Sequence, residues 1–427
     1  MYSMTYRIAL LFSFVLPLQI ALNPAEGVDL ALARILIPVI FLVWLIESLF
    51  SKKISLPTSP GAVFLYTFLF LASFSLFFAN NHSWGIRKLA FLFSIFPLYF
   101  VISSTFSDTD KKKVLVSYFT AGAAITALIG LAQFSLQYVV GIDKAYRWWG
   151  ENIAPIFLGE SFSQAVLKNS SWLVNAGGKD FFRAISVFPD PHMLSFYLNM
   201  TLPFAIFLAI KSSSKKRIFW SSSSLIIFAA DILTFSRGGY IGLAVMAFIL
   251  FALFFKKLSV KFRLTACALL FFATIILLLF PNPISQRFAS SFDASEGSNS
   301  GRIETWSQAF EVIKRNPLGV GIGNYALAIK PSADYREPIY AHSVYLDIAA
   351  EMGIFALLFW IAFLGGTFLS FHKQTDDLIF RFALIASMAA FASHSLVENP
   401  LFSIHIFSLL MIITALANKN NHTKQYA

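Results

Sequence analysis

Apolar runs of close to twenty residues alternate along this chain with short clusters of polar and basic residues. An α-helix needs a run of about that length to cross the hydrocarbon core of a bilayer. The runs fall at roughly 5–22, 29–50, 60–79, 84–105, 113–137, 191–210, 217–235, 239–255, 263–280, 352–371, 377–396 and 400–417. They predict an all-α polytopic membrane protein with about twelve transmembrane helices, built as a single integral membrane unit over residues 1–427. Arg7 and the apolar stretch after it have the outline of a signal peptide. With eleven further runs to anchor the chain, a retained first span is the expectation.

Two longer stretches, 138–190 and 281–351, separate these runs and read as large loops. In the second, Ile303, Trp306, Phe310 and Ile313 recur at three- and four-residue steps, which predicts an amphipathic helix. Ser298 or Ser300 is its candidate cap, and Asn316-Pro317 its end. A glycine-rich turn, Gly319 to Asn324, follows. A second helix is expected from about Ala341 into the tenth span. The stretch Asp293 to Gly301 reads as a mobile linker.

Composition narrows the class. The chain is 57% hydrophobic and 13% charged, whereas soluble domains average about 45–50% and about 25%. A mean hydropathy of +0.69 agrees. The net charge of +11 would suit a nucleic-acid binder, but its placement excludes that reading. Lys52 and Lys53, Lys111 to Lys113, Lys211 with Lys215 to Arg217, Lys256 to Arg263, Lys373, and Lys419 with Lys424 all fall in alternate loops. That asymmetry predicts both termini in the cytoplasm and both large loops outside. The loops themselves are balanced, with five basic and five acidic residues in 142–190 and six of each in 281–341. Cys267 is the only cysteine, so no intramolecular disulfide can form.

The informative charges break the topology rule. Arg34 lies near the outer end of span two, Arg87 and Lys88 open span four, and Arg237 stands in the turn Ser236-Arg237-Gly238-Gly239. Arg302 starts the external amphipathic helix. Cations there are costly and need partners, whether a carboxylate such as Asp29, Asp231 or Glu398 or an anionic ligand. Arginine suits phosphate through its bidentate fork. His342 heads the run Ala341 to Gly353. Surrounding cations would favour its neutral form, which makes it a candidate general base. Continuing the helix through His342 puts Glu351 nine residues on, about 180° around, so Glu351 is expected to brace another helix instead. Among the other histidines, His394 and His405 read as packed within the spans. No cluster has zinc-ligand spacing, and the Gly319 turn lacks the strand a dinucleotide site requires. No metal and no cofactor are therefore expected.

Taken together, Ser236-Arg237-Gly238-Gly239, Gly301-Arg302 with Trp306, Asn316 to Gly323, and His342 with Tyr345, Leu346, Glu351 and Gly353 resemble the O-antigen ligase family and its superfamily of ligases and polymerases. Arg183 with Phe188 to Pro191 adds a weaker piece. The resemblance covers roughly 180–400, and Ser343 departs from the Asn usual after the histidine. It implies a GT-C-like membrane glycosyltransferase of the inner membrane, inverting and metal-independent, with a helical periplasmic loop between spans nine and ten. The donor would be a glycan on undecaprenyl diphosphate. The acceptor would be lipid A-core for a ligase or a growing glycan for a polymerase. Catalysis would fall to His342, Arg237 and Arg302. Substrate binding would fall to Arg34, Arg87, Lys88, Arg183 and Tyr345, with Glu351, Gly238, Gly321 and Gly353 as structural support. A transporter or lipid-carrier flippase is the competing class. Asp231, about 9 Å below Arg237 at 1.5 Å per residue, is its main candidate for a mid-membrane charge.

Overall fold

The computed structural model describes residues 3–25, 28–52, 54, 56–168, 171–255, 283–290, 297–335, 339–374 and 377–418. The expected ninth span, Cys267, residues 293–296 of the linker, and the tail lysines lie outside the described residues.

The described chain is a helical bundle, and the protein is a membrane protein. Six helices are long and apolar enough to cross a membrane: Ala33–Phe50, Pro60–Phe78, His82–Thr105, Thr109–Val140, Pro191–Lys211 and Ile354–Phe371. Four shorter apolar helices, Met4–Leu18, Arg237–Leu253, Leu378–His394 and Ile404–Ala415, occupy the expected first, eighth, eleventh and twelfth runs. The seventh run is the helix Ser214–Ile232, whose four consecutive serines lower its hydropathy.

In chain order we label α1 Met4–Val15, α2 Ala33–Phe50, α3 Pro60–Phe74, α4 His82–Ile95, α5 Pro97–Thr105 and α6 Thr109–Val140. The first large loop carries α7 Ile142–Trp148, α8 Ala154–Leu158 and α9 Glu160–Lys168. Then come α10 Pro191–Lys211, α11 Ser214–Ile232, α12 Arg237–Phe255 and α13 Pro283–Ala289. The last six are α14 Gly297–Arg315, α15 Tyr325–Ile329, α16 Val344–Met352, α17 Ile354–Gln374, α18 Leu378–His394 and α19 Ile404–Ala415. Helices α10 and α19 are buried almost all round, the signature of central helices rather than lipid-facing ones. Helix α10 packs against α11 and α18, and α18 against α12. Helices α3 and α17 meet where Gly61 faces Gly366 and Thr367, a close approach that small residues permit.

Three expectations need correction. The chain is not purely helical: antiparallel hairpins pair Ala21–Ala25 with Val28–Ala31, and Leu173–Ala176 with Lys179–Phe182. The second turns through Gly177-Gly178, both at positive φ, which is the backbone a two-residue hairpin needs. The linker expected to end at Gly301 is already helical from Gly297, inside α14. Finally, α14 does not bury the face its periodicity suggests. Ala309 and Val312 join Tyr325, Ala341 and Ala350 in a small core, while Ile303 and Phe310 stay exposed. The tertiary partner, not the largest side chains, sets which face is covered.

Candidate functional site

His342 is not on a helix. It precedes α16 in the left-handed region, φ 52°, a conformation costly for a residue with a Cβ and held only where surroundings enforce it. The enforcement is visible. Asp347 accepts from the Ala341 amide at 2.8 Å, and the Val344 amide donates to Ser395 O at 3.1 Å. Asn399 Nδ2 donates to the other Asp347 oxygen at 2.6 Å, tying this loop to the one that follows α18. Burial raises the Asp347 carboxyl to about 7, the bond from Ala341 opposing it.

The loop after α18 supplies Glu398. Its Oε1 lies 3.0 Å from His342 Nδ1, and its Oε2 3.7 Å from an Arg302 Nη. The Glu398 side chain is 12% exposed and that of His342 45%, so the carboxylate is sheltered while the imidazole remains reachable. Burial works against the Glu398 charge. Nevertheless, the hydrogen bond from His342 and the neighbouring His192, His342 and Arg302 hold this carboxyl well below its ordinary range. In turn, the hydrogen bond to Glu398 is the main cause raising His342 above the ordinary histidine value. Burial and Arg302 oppose this. The sequence-based expectation that cations keep this imidazole neutral is thus reversed, because a carboxylate stands between His342 and Arg302. With Nδ1–H donating to Glu398, Nε2 is left as the proton acceptor.

Arg237 opens α12 and is 4% exposed. Its Nη1 donates to Asn299 Oδ1, one turn before Arg302 on α14, and Asn299 Nδ2 donates to Ser290 O at 2.9 Å. The turn is seated from below. Ser236 Oγ is 2.9 Å from His192 Nδ1 and 3.5 Å from His394 Nε2. His394 in turn stacks on Phe196 with ring centroids 3.6 Å apart. A Cβ on Gly238 would stand 2.4 Å from His394 Cδ2, so close packing, not exposure, explains this glycine. Asp190 caps α10, accepting from the His192 and Met193 amides at 2.7 and 3.0 Å, and burial raises its carboxyl to about 6.

Other expected site residues are engaged elsewhere. Lys88 Nζ meets Glu351 Oε1 at 2.6 Å and lies over the Phe402 and Tyr340 rings, so its charge is already matched. Glu351 therefore braces α4. Arg183 is buried and donates to Thr234 O at 2.7 Å and Ser171 O at 3.2 Å, supporting the chain leading into the Ser236 turn. Tyr345 donates to Ala392 O at 2.9 Å. Gly321 and Gly353 take φ values of 92° and 91°, and a Cβ on either would enter the backbone of Ala79 or Leu318. Gly353 also separates α16 from α17, where a continuous helix was expected. Asp231, the charge that favoured a transporter, is fully buried and accepts from Ser195 Oγ at 2.5 Å.

Removing one partner of the sheltered Lys88–Glu351 pair strands a buried charge. Lys88→Ala is expected to cost about 3–5 kcal/mol of stability, read as a fall in the thermal unfolding midpoint of the detergent-purified protein; an unchanged midpoint would contradict it.

A cavity of about 880 Å³ lies between Trp44, Glu47 and Lys111, at the helix ends opposite Arg34. Its lining holds no histidine, and it is not the site described above. Among the described residues no cluster of three or more His, Cys, Asp or Glu could hold a metal ion.

Residues 222–361 match the model of a family described as O-Antigen ligase. An O-antigen polymerase of Salmonella muenchen is 24% identical over 261 residues, covering 56% of this chain and 62% of that protein. A ComP-specific O-oligosaccharyltransferase of Acinetobacter baylyi is 28% identical over 224 residues, covering 49% of this chain and 39% of that protein. The chain thus spans less than two thirds of the length of either curated relative. Arg237, Arg302 and His342 all lie inside the family match; Glu398 lies beyond its end.

Proposed function

We propose that this chain, whose residues 222–361 carry the O-antigen ligase family's segment, transfers a glycan from undecaprenyl diphosphate to an acceptor sugar hydroxyl at the periplasmic face of the inner membrane. The observation that carries the reading is the linked set His342–Glu398–Arg302, with Arg237 joined to the same helix through Asn299.

The geometry supports the following chemistry. The acceptor oxygen attacks the anomeric carbon as the bond from that carbon to the diphosphate oxygen breaks, which inverts the centre. His342 Nε2 takes the hydroxyl proton, and Glu398 steadies the imidazolium that forms. The electron pair leaves with the diphosphate. Arg302 and Arg237 stabilise the growing negative charge, an interaction that gains strength where water is excluded. Two guanidinium groups neutralise the leaving group without a metal.

The acceptor defines the subclass. Lipid A-core makes the chain a ligase. The polymerase reading is the alternative, favoured by the similarity to the Salmonella muenchen protein. Purified protein supplied with a lipid-linked glycan and each acceptor separates them, since a single added block indicates a ligase and a ladder a polymerase. Absence of product with either acceptor counts against both.

A further inference from the structure

Arg34 and Arg87 have no part in the transfer chemistry above. Arg34 stands in the first turn of α2 with its guanidinium 5.3 Å from the centroid of Phe91 on α4. Arg87 is exposed on α4 and lies 4.9 Å from the centroid of Tyr335, against which Trp84 packs edge-on at 5.3 Å. Phe91 follows Arg87 by four residues on α4, so the two guanidinium groups are held along one face of that helix.

Neither arginine meets a carboxylate among the described residues, and Arg34 Nε is buried with no hydrogen-bond partner. The contrast with the neighbouring Lys88 is sharp, since Glu351 matches its charge at 2.6 Å. Aromatic faces hold a guanidinium in place without cancelling its charge. A cation kept near the bilayer at some cost, yet without an acidic partner, is available to an external anion, and phosphate fits the guanidinium fork.

These residues also connect to the catalytic histidine. Phe91 packs on Phe402 at 5.8 Å, Phe402 and Tyr340 both flank Lys88, and Tyr340 lies two residues before His342. Arg302, by contrast, reaches His342 through Glu398. The two cationic groups therefore approach the imidazole by different routes.

We propose that Arg34, held over Phe91, and Arg87, held over Tyr335, form a second anion site that takes a phosphate group of the lipid-linked acceptor. The site rests on the acceptor chemistry of the proposed function and deepens it, because that function assigns the donor diphosphate to Arg237 and Arg302. The phosphate can belong to a lipid A-type acceptor or to a polyprenyl-diphosphate-linked glycan chain.

Binding tests this apart from transfer. Full-length protein in nanodiscs is titrated with bisphosphorylated lipid A and with undecaprenyl diphosphate, each beside its phosphatase-treated form. The expected result is a binding step for phosphorylated lipid A, or a second step for undecaprenyl diphosphate beyond the donor's. That step weakens at least tenfold on dephosphorylation and at least tenfold in Arg34→Gln/Arg87→Gln. Arg34→Lys/Arg87→Lys, which keeps the charges, is expected to retain most of it. A step that survives the glutamine pair, or equal affinity for the dephosphorylated lipids, overturns the site. So does the absence of any such step with either lipid. Transfer is assayed on the same samples: failed transfer with intact, arginine-dependent binding refutes the proposed activity and leaves the anion site standing.

Discussion

Replacing His342 by Ala is expected to lower turnover by roughly 10²–10⁴-fold, the usual contribution of a positioned general base. Folding should be little affected, because the loop is tied down by Asp347, Ser395 and Asn399 through backbone and neighbouring groups rather than through the imidazole. Glu398 gives this prediction a pH signature. Its hydrogen bond raises His342 above the ordinary histidine value, and a base works only when deprotonated. Turnover should therefore climb with pH along a limb lying above the ordinary histidine value of about 6.5. Glu398→Gln removes the carboxylate while keeping a similar shape. With Arg302 still present, the limb should move to lower pH, with a lower plateau from the loss of imidazolium stabilisation. A limb that stays in place would remove Glu398 from the account.

Arg237→Ala is the second large effect. Loss of one preorganised charge-stabilising group costs about 10²–10³ in turnover in comparable sites. Arg237→Lys should recover only part of that, since the ammonium keeps the charge but not the planar fork that holds Asn299 and, in the proposed reaction, would also meet a phosphate. Turnover and KM are read separately. A fall in turnover with KM for the donor little changed fits charge stabilisation in the transition state, whereas a rise in KM alone would make Arg237 a ground-state anchor.

Much of this was legible in the chain, and the gaps have physical reasons. Long apolar runs announced the apolar helices, six of which among the described residues are long enough to cross a membrane, because bilayer thickness imposes a length. The periodicity of α14 gave its existence but not its buried face, since Ala309 and Val312 are small and carry little pattern signal. The His342 segment was read as helix because Ala341 to Met352 is apolar and helix-friendly. The left-handed turn at His342 is imposed by Asp347 and Ser395, which no local rule sees. The Gly177-Gly178 pair between Asn175-Ala176 and Lys179 was a readable hairpin signal that the helical pattern around it overshadowed.

Arg237 and Arg302 stood out in the sequence as charges out of place, and His342 as a candidate base at the head of an apolar run. Glu398 was visible only as one carboxylate among several possible partners, because it comes from a loop 56 residues beyond His342. Asn299 carried no signal, lying in a stretch whose composition suggested a linker. Lys88 and Arg183 show the converse: a cation that breaks the charge pattern of the sequence is as readily matched by Glu351 or by backbone carbonyls as by a substrate.

The central claim is glycan transfer by His342 with arginines, not a metal, meeting the diphosphate. It is tested most directly by incubating purified protein with an undecaprenyl-diphosphate-linked glycan and acceptor, in EDTA, beside His342→Ala. The account predicts product from the unmodified protein in EDTA and almost none from the variant; no product without added metal, or equal product from His342→Ala, would contradict it.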